Sequence, residues 1–123
     1  MKRKDPSTPR SLLTPAGLHI LLALADGDLH GYGIKTDVED RTGGRLNLGP
    51  ATLYEAIHRM VQSGWIRETA GSGGGEDGRS NRRKYYRLTK EGRRQMELEL
   101  ARLDEIVRFA RSKSLLPTAP RSS

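Results

Sequence analysis

The sequence has no cysteine, one tryptophan and one phenylalanine, and aromatic residues make up only 5% of it. Without thiols there is no disulfide and no thiolate metal site, so packing alone must hold the fold. No apolar run approaches the ~18 residues that a transmembrane helix needs. The stretch from Leu18 to Ala25 is too short and too amphipathic for a secretory core, and no convincing cleavage site follows it. A soluble, cytoplasmic protein is expected. Apolar residues are also sparse, at 34% of the 123. A chain of this length reads as one domain, with some apolar surface buried elsewhere, for example in a dimer. Acid is scarce relative to base: 15 Asp and Glu against 22 Lys and Arg leave a net charge of +7. That balance favours an anionic partner, nucleic acid before a membrane surface.

Residues 1–11 are polar, with two prolines and the run Lys2-Arg3-Lys4, and read as a disordered basic arm. Thr14-Pro15 is a helix start, with a hydroxyl cap and proline at the first position. The helix runs to about Ala25, with Leu18, Leu21, Leu22 and Ala25 on one face. The segment Leu29 to Ile34 opens a second helix that runs to about Thr42, turning Ile34 and Val38 inward, and Gly43-Gly44 stops it. Leu46 and Leu48 alternate with polar residues and suggest a short extended piece.

Asn47 to Gly64 is the stretch around which the rest is arranged. Gly49 can cap a helix there, Pro50 suits its first position and Gly64 suits the left-handed residue just past its end. Leu53, Ile57, Met60 and Val61 form an apolar stripe at helical spacing. The remaining face carries Thr52, Tyr54, Glu55, His58, Arg59 and Gln62, side chains able to bond base edges or phosphates. Three helices in this order are compatible with helix-turn-helix, the third entering the major groove.

After Gly64 the period changes to two. Trp65 to Thr69 and Arg82 to Leu88 read as strands, with Ile66, Tyr86 and Leu88 inward, joined by the glycine-rich loop Ala70 to Asn81. Around the return strand of this ribbon, or wing, stand Arg79, Arg82, Arg83, Lys84 and Arg87, a clamp for phosphates beside a recognition helix. Thr89 caps a last helix that runs to about Ser112. Gly92 in its first turn costs about 1 kcal/mol against alanine, so this start is not optimised for stability. Met96, Leu100, Leu103, Val107 and Ala110, spaced 4, 3, 4 and 3, make a heptad seam widened by Leu98, Ile106 and Phe109. Its apolar surface exceeds what one small domain covers, and dimerisation through this helix is expected. The fold class is mainly α with a small β-hairpin wing: a winged helix-turn-helix over 12–88, a dimerisation helix over 89–113, and a frayed tail over 114–123.

Three stretches resemble the PadR family of bacterial winged-helix transcriptional regulators, in the family's order and spacing. They are LHGYGI at Leu29 to Ile34, GGRLNLGPATLYEAIHRMVQSGWI at Gly43 to Ile66, and RRKYYRLTKEGR at Arg82 to Arg93. The resemblance covers roughly Leu12 to Arg111. It implies a dimer that binds operator DNA and usually represses, with the C-terminal helix, helped by the first, making the dimer. It makes Thr52 and Tyr54 of the TLY motif DNA-facing, Tyr32 of HGY a phosphate contact or a packing residue, and Arg82, Arg83 and Lys84 wing contacts. It also suggests a small apolar or aromatic effector at the dimer interface. Two positions depart from the pattern: Gly33 stands where a helix former is common and loosens the second helix, and Trp65 stands where leucine is usual, as a core filler or a pocket wall.

Within the recognition stretch, Tyr54 can pack its ring and reach a phosphate with its hydroxyl. His58 and Arg59 are the better candidates for base readout. Glu55 either accepts from cytosine or pairs with Arg59, and Lys35 is a candidate backbone contact. His19, His30 and His58 are scattered, with no carboxylates at ligand spacing, so no metal is expected. No cofactor is expected either. No nucleophile–base pair or paired carboxylates point to an enzyme, and the GSGGGEDG stretch lacks the lysine-serine ending of a phosphate loop. The competing reading is a winged-helix module for a protein partner, which would have no need of a basic wing. A peripheral membrane role is disfavoured by the mixed charge of the last helix.

Overall fold

The computed structural model describes residues 13–69 and 84–117. The expected basic arm, the loop Ala70 to Asn81 and the end of the tail lie outside the described residues. The chain runs α1 (Pro15–Ala23), β1 (Leu29–His30), α2 (Gly31–Arg41), α3 (Pro50–Gln62), β2 (Ile66–Thr69), β3 (Tyr85–Leu88) and α4 (Lys90–Ser112). This is a winged helix-turn-helix followed by a long helix.

The local stops and starts follow from single residues. The Thr14 hydroxyl accepts from the Gly17 N–H at 3.0 Å, and Pro15 opens α1. Two turn-like backbone bonds, Leu24 N–H to Leu21 and Ala25 N–H to Leu22, end α1 at Ala23, short of the expected Ala25. The reversals after α2 and α3 use Gly43 and Gly44 (φ 62° and 80°) and Gly64 (φ 82°), where a side chain would strain the backbone.

Leu29–His30 is not the start of the second helix. It is a two-residue strand paired antiparallel to β3, Leu29 with Tyr86 and His30 with Tyr85. The sheet therefore has three strands in the order β1-β3-β2, and the wing's return strand is central. His30 then caps α2, its Nδ1 accepting from the Gly33 N–H at 3.1 Å. The piece around Leu46 and Leu48 forms no strand, although Leu48 is buried.

The core gathers Ile20 and Leu21 of α1, Ile34 and Val38 of α2, and Leu53, Ile57 and Met60 of α3, with Trp65, Ile66, Tyr86 and Met96. Trp65 is 3% exposed, a core residue. Its main chain is a junction. Trp65 N–H donates to Met60 O at 3.0 Å, and its carbonyl accepts from Thr89 N–H at 3.0 Å. Thr89 Oγ1 donates to Gly64 O at 2.6 Å and accepts from Gly92 N–H at 3.0 Å. Gly92, expected as a weak helix start, is instead a packing requirement: a Cβ there would lie 2.0 Å from the Trp65 carbonyl oxygen.

Arg87 also departs from expectation. It is not available as a further phosphate clamp, because its Nε and Nη2 donate to the two carboxylate oxygens of Asp28 at 3.0 and 2.9 Å. Across the sheet Arg87 faces Arg67, a like-charge pair that would repel, and Asp28 offsets it. The Arg87 hydrogen bonds hold the Asp28 carboxyl below the usual aspartate range, opposed by its partial burial and helped by the charges of Arg87 and Arg67. A depressed folded pKa contributes stability above the unfolded value and loses it as pH falls through the folded one. Wild type is thus expected to be more stable than Asp28→Asn at neutral pH, and the gap to close below about pH 4. Thermal unfolding of both proteins across pH checks this; a gap independent of pH would rule out the charge as its source.

Candidate nucleic-acid interface

α3 presents two unlike faces because its apolar residues recur at helical spacing. Leu53, Ile57 and Met60 are buried, while Thr52, Tyr54, Glu55, His58, Arg59 and Gln62 are exposed. Among the described residues no ion pair joins Glu55 to Arg59, so the pairing alternative for Glu55 is not realised. Both charges face outward with unspent capacity.

The exposed row divides between two edges. On one, Tyr54 and His58 meet the wing and α2. Tyr54 lines a groove with Tyr32, Lys35, Pro50 and Leu53, and a second groove with His58, Val61, Glu68, Lys84 and Tyr86. It is the shared wall between the α2 cation and the wing cation. On the other edge, Arg59 sits with Ala56 and Ser63 beside Thr14 and Gly17 at the start of α1. The side chains of His58 and Arg59 therefore lie on different edges of the helix, and they would read different parts of any ligand lying along it.

Tyr32 is 70% exposed and Tyr54 48%, both unusually open for large aromatic residues. Neither is simply core. The two described cations on this side carry acidic partners: Lys35 pairs with Glu39 one turn on, and Lys84 Nζ lies 3.7 Å from Glu68. The first pair is half-buried; the second is exposed and weak, and a polyanion can displace its carboxylate. Arg79, Arg82 and Arg83 lie outside the described residues.

The last helix does not present the seam as expected. Met96 is 4% exposed and belongs to the core of its own chain, so it is spent within the protomer. Leu103 packs partly against that core, and Val107 and Ala110 are half-buried. Leu100, Ile106, Leu98 and Phe109 are exposed, and helical spacing turns Leu98 and Phe109 away from the seam instead of widening it. The described residues hold no cluster of His, Cys, Asp or Glu able to bind a metal, and no helix long and apolar enough to cross a membrane.

Two of the interface's supports are not legible in the sequence. His30 works as a helix cap, and Gly31 makes room for Tyr54. The His30 cap acts within one turn of its own helix, whereas the room at Gly31 depends on a contact between separate elements, and only the HGY motif hinted at either.

The family model of the transcriptional regulator PadR-like family matches residues 20–98. An uncharacterized 37.1 kDa protein in transposon TN4556 of Streptomyces fradiae is 37% identical over 84 residues, or 68% of this chain; the chain spans 21% of that protein's length. Among solved structures, a PadR family transcription regulator from hypervirulent Clostridium difficile is 26% identical with a TM-score of 0.63, covering 80% of this chain and 97% of that one. Bacillus subtilis PadR, in complex with operator DNA, shares the fold at a TM-score of 0.60 and 19% identity, covering 90% of this chain and 53% of that one. With the winged-helix architecture and the matched residues in agreement, the chain belongs to the transcriptional regulator PadR-like family, a family of regulators and not of enzymes.

Proposed function

We propose that the chain is a cytoplasmic, sequence-specific DNA-binding repressor that acts as a homodimer on a palindromic operator. The observation that carries this reading is the exposed row Thr52, Glu55, His58 and Arg59 above the buried stripe of α3. Two such helices, one from each protomer, would enter successive major grooves about one turn of DNA apart. Tyr32, Lys35, Tyr54 and Lys84 would hold the sugar–phosphate backbone at the α2 and wing edge. The seam of Leu100, Leu103, Val107 and Ala110 supports pairing through α4. Beside it, a groove of about 360 Å³ between α1 and α4, lined by Leu13, Leu18, His19, Arg102 and Leu103 among others, suits a small apolar or aromatic effector. An effector there would alter the angle between the two domains and so the fit to the operator spacing.

The test is selection from random duplex DNA at physiological salt with competitor present. An enriched inverted repeat supports the dimeric, sequence-specific reading; salt-sensitive binding without an enriched sequence defeats the specific part, and no binding defeats the whole. On the selected site, Lys84→Ala is expected to weaken binding to all sequences alike and to reduce the salt slope by about 1. Arg59→Ala is expected to relax preference at one base pair, at a cost of about 1–3 kcal/mol. Equal losses on every DNA from both variants would show that the two residues do not divide the work this way.

A further inference from the structure

We propose that Gly31 is a positioning residue for DNA binding: its missing side chain forms the seat that holds Tyr54 across the start of α2. The inference rests on the DNA-binding reading above. A Cβ on Gly31 would lie 2.1 Å from the Tyr54 hydroxyl oxygen, 2.6 Å from its Cζ and 2.9 Å from its Cε1. The recognition-helix tyrosine therefore rests its phenol directly on the first residue of α2. Gly31 has no left-handed backbone to explain its identity, since it is absent from the positive-φ glycines of the described residues. What requires glycine there is the close approach of the ring.

The ring's place matters because of its neighbours. It separates the groove of Tyr32 and Lys35 from the groove of His58 and Lys84, and it remains half exposed. A phosphate approaching either lysine would meet the same phenol. A tyrosine on a helix surface is free to choose among rotamers, and fixing one before binding lowers the ordering cost of the contact. Gly31 supplies that restriction without touching DNA.

The nature of the clash makes the idea testable. The atoms in conflict are the far end of a side chain, so Gly31→Ala displaces Tyr54 outward and leaves the backbone in place. Gly33, two residues along the same turn, is an internal control. A Cβ there meets Leu29 Cδ2 at 3.4 Å and His30 Cε1 at 3.6 Å, ordinary contacts. Gly33→Ala also keeps the N–H that His30 accepts.

The experiment is a set of binding titrations of the full chain against a labelled random-sequence duplex at low salt, where backbone contacts dominate and no operator need be known. Wild type, Gly31→Ala, Gly33→Ala, Tyr54→Ala and the double variant Gly31→Ala/Tyr54→Ala are compared, with thermal unfolding of each. Gly31→Ala is expected to weaken binding about ten-fold, the worth of one hydrogen bond to a charged group. Its salt slope should be unchanged, because no cation is lost, and Gly33→Ala should bind as wild type does. In the Tyr54→Ala background, Gly31→Ala should cost nothing further. A loss that persists in that background, or a Gly31→Ala protein that binds like wild type, overturns the inference while the DNA-binding reading stands. If wild type itself fails to bind duplex DNA, the DNA-binding reading falls and the inference with it.

Discussion

Gly92→Ala is expected to destabilise the protein by about 2–4 kcal/mol, against the usual direction for alanine in a helix. Propensity alone predicts a gain of about 1 kcal/mol. Packing decides the sign here. The added methyl would lie 2.0 Å from the Trp65 carbonyl oxygen, 2.8 Å from its carbonyl carbon and 3.0 Å from Leu88 Cδ1. Two of those atoms are backbone and cannot turn aside as the Tyr54 phenol can. Relief requires the start of α4 to move by about an ångström from the end of α3, since a carbon–oxygen contact settles no closer than roughly 3.3 Å. That movement loosens the bonds from Thr89 N–H to Trp65 O and from Thr89 Oγ1 to Gly64 O. For a domain of this size the melting temperature should fall by roughly 10–20 °C. Emission from the single tryptophan, one of the colliding residues, reports the same junction. A melting temperature above wild type would mean that α4 does not approach Trp65 this closely.

How far the structure could be read from sequence depended on whether a signal was local. Thr14-Pro15, Pro50 with Gly64, and Thr89 mark helix ends through residues that act within one turn, and the helices begin and end close to them. The stripe of α3 and the inward set Ile66, Tyr86 and Leu88 were legible because periodicity is also local. β1 was not: two residues carry no alternation, and their pairing with Tyr85 and Tyr86 depends on a strand far along the chain. The same applies to Arg87. Its neighbours in sequence make it one more wing cation, whereas Asp28, 59 residues away, engages one edge of its guanidinium through Nε and Nη2. Gly92 read as a weak position and Gly31 drew no reading of its own, because a missing side chain says nothing about what fills its space. Within the candidate site, the residue types were legible on α3, but their division between two edges, with Arg59 apart from Tyr54 and His58, needed the neighbouring elements. Met96 fitted the heptad arithmetic and yet faces the protomer's own core, because the first turns of α4 pack on the winged domain before the helix extends past it.

Trp65→Ala is expected to cost about 3–5 kcal/mol, the range for truncating a buried large aromatic residue. The sequence allowed two roles for this indole, core filler or pocket wall, and they predict different outcomes. A pocket wall is solvated on one side, so its truncation enlarges a space that water already reaches and costs little stability. Trp65 is 3% exposed and shares the core with Met60 of α3, Ile66 of β2 and Met96 of the long helix. Removing the indole leaves a void at the place where α3, the wing and α4 meet, and the atoms around it cannot all collapse inward because their main chains are tied to one another there. The backbone bonds of residue 65 remain available to alanine, so the loss measures the side chain and not the junction's hydrogen bonds. Against a total stability of about 5–15 kcal/mol, such a loss leaves a substantial unfolded fraction at physiological temperature. Trp65→Leu, which restores part of the volume and the family's usual residue, should recover more than half of it. Denaturant unfolding followed by circular dichroism, which does not depend on the lost fluorophore, separates the roles. A loss under about 1 kcal/mol for Trp65→Ala, outside the range for core truncation, would return the indole to the pocket reading. A large loss largely recovered by leucine would establish that it holds the recognition helix, the wing and the long helix to a common core.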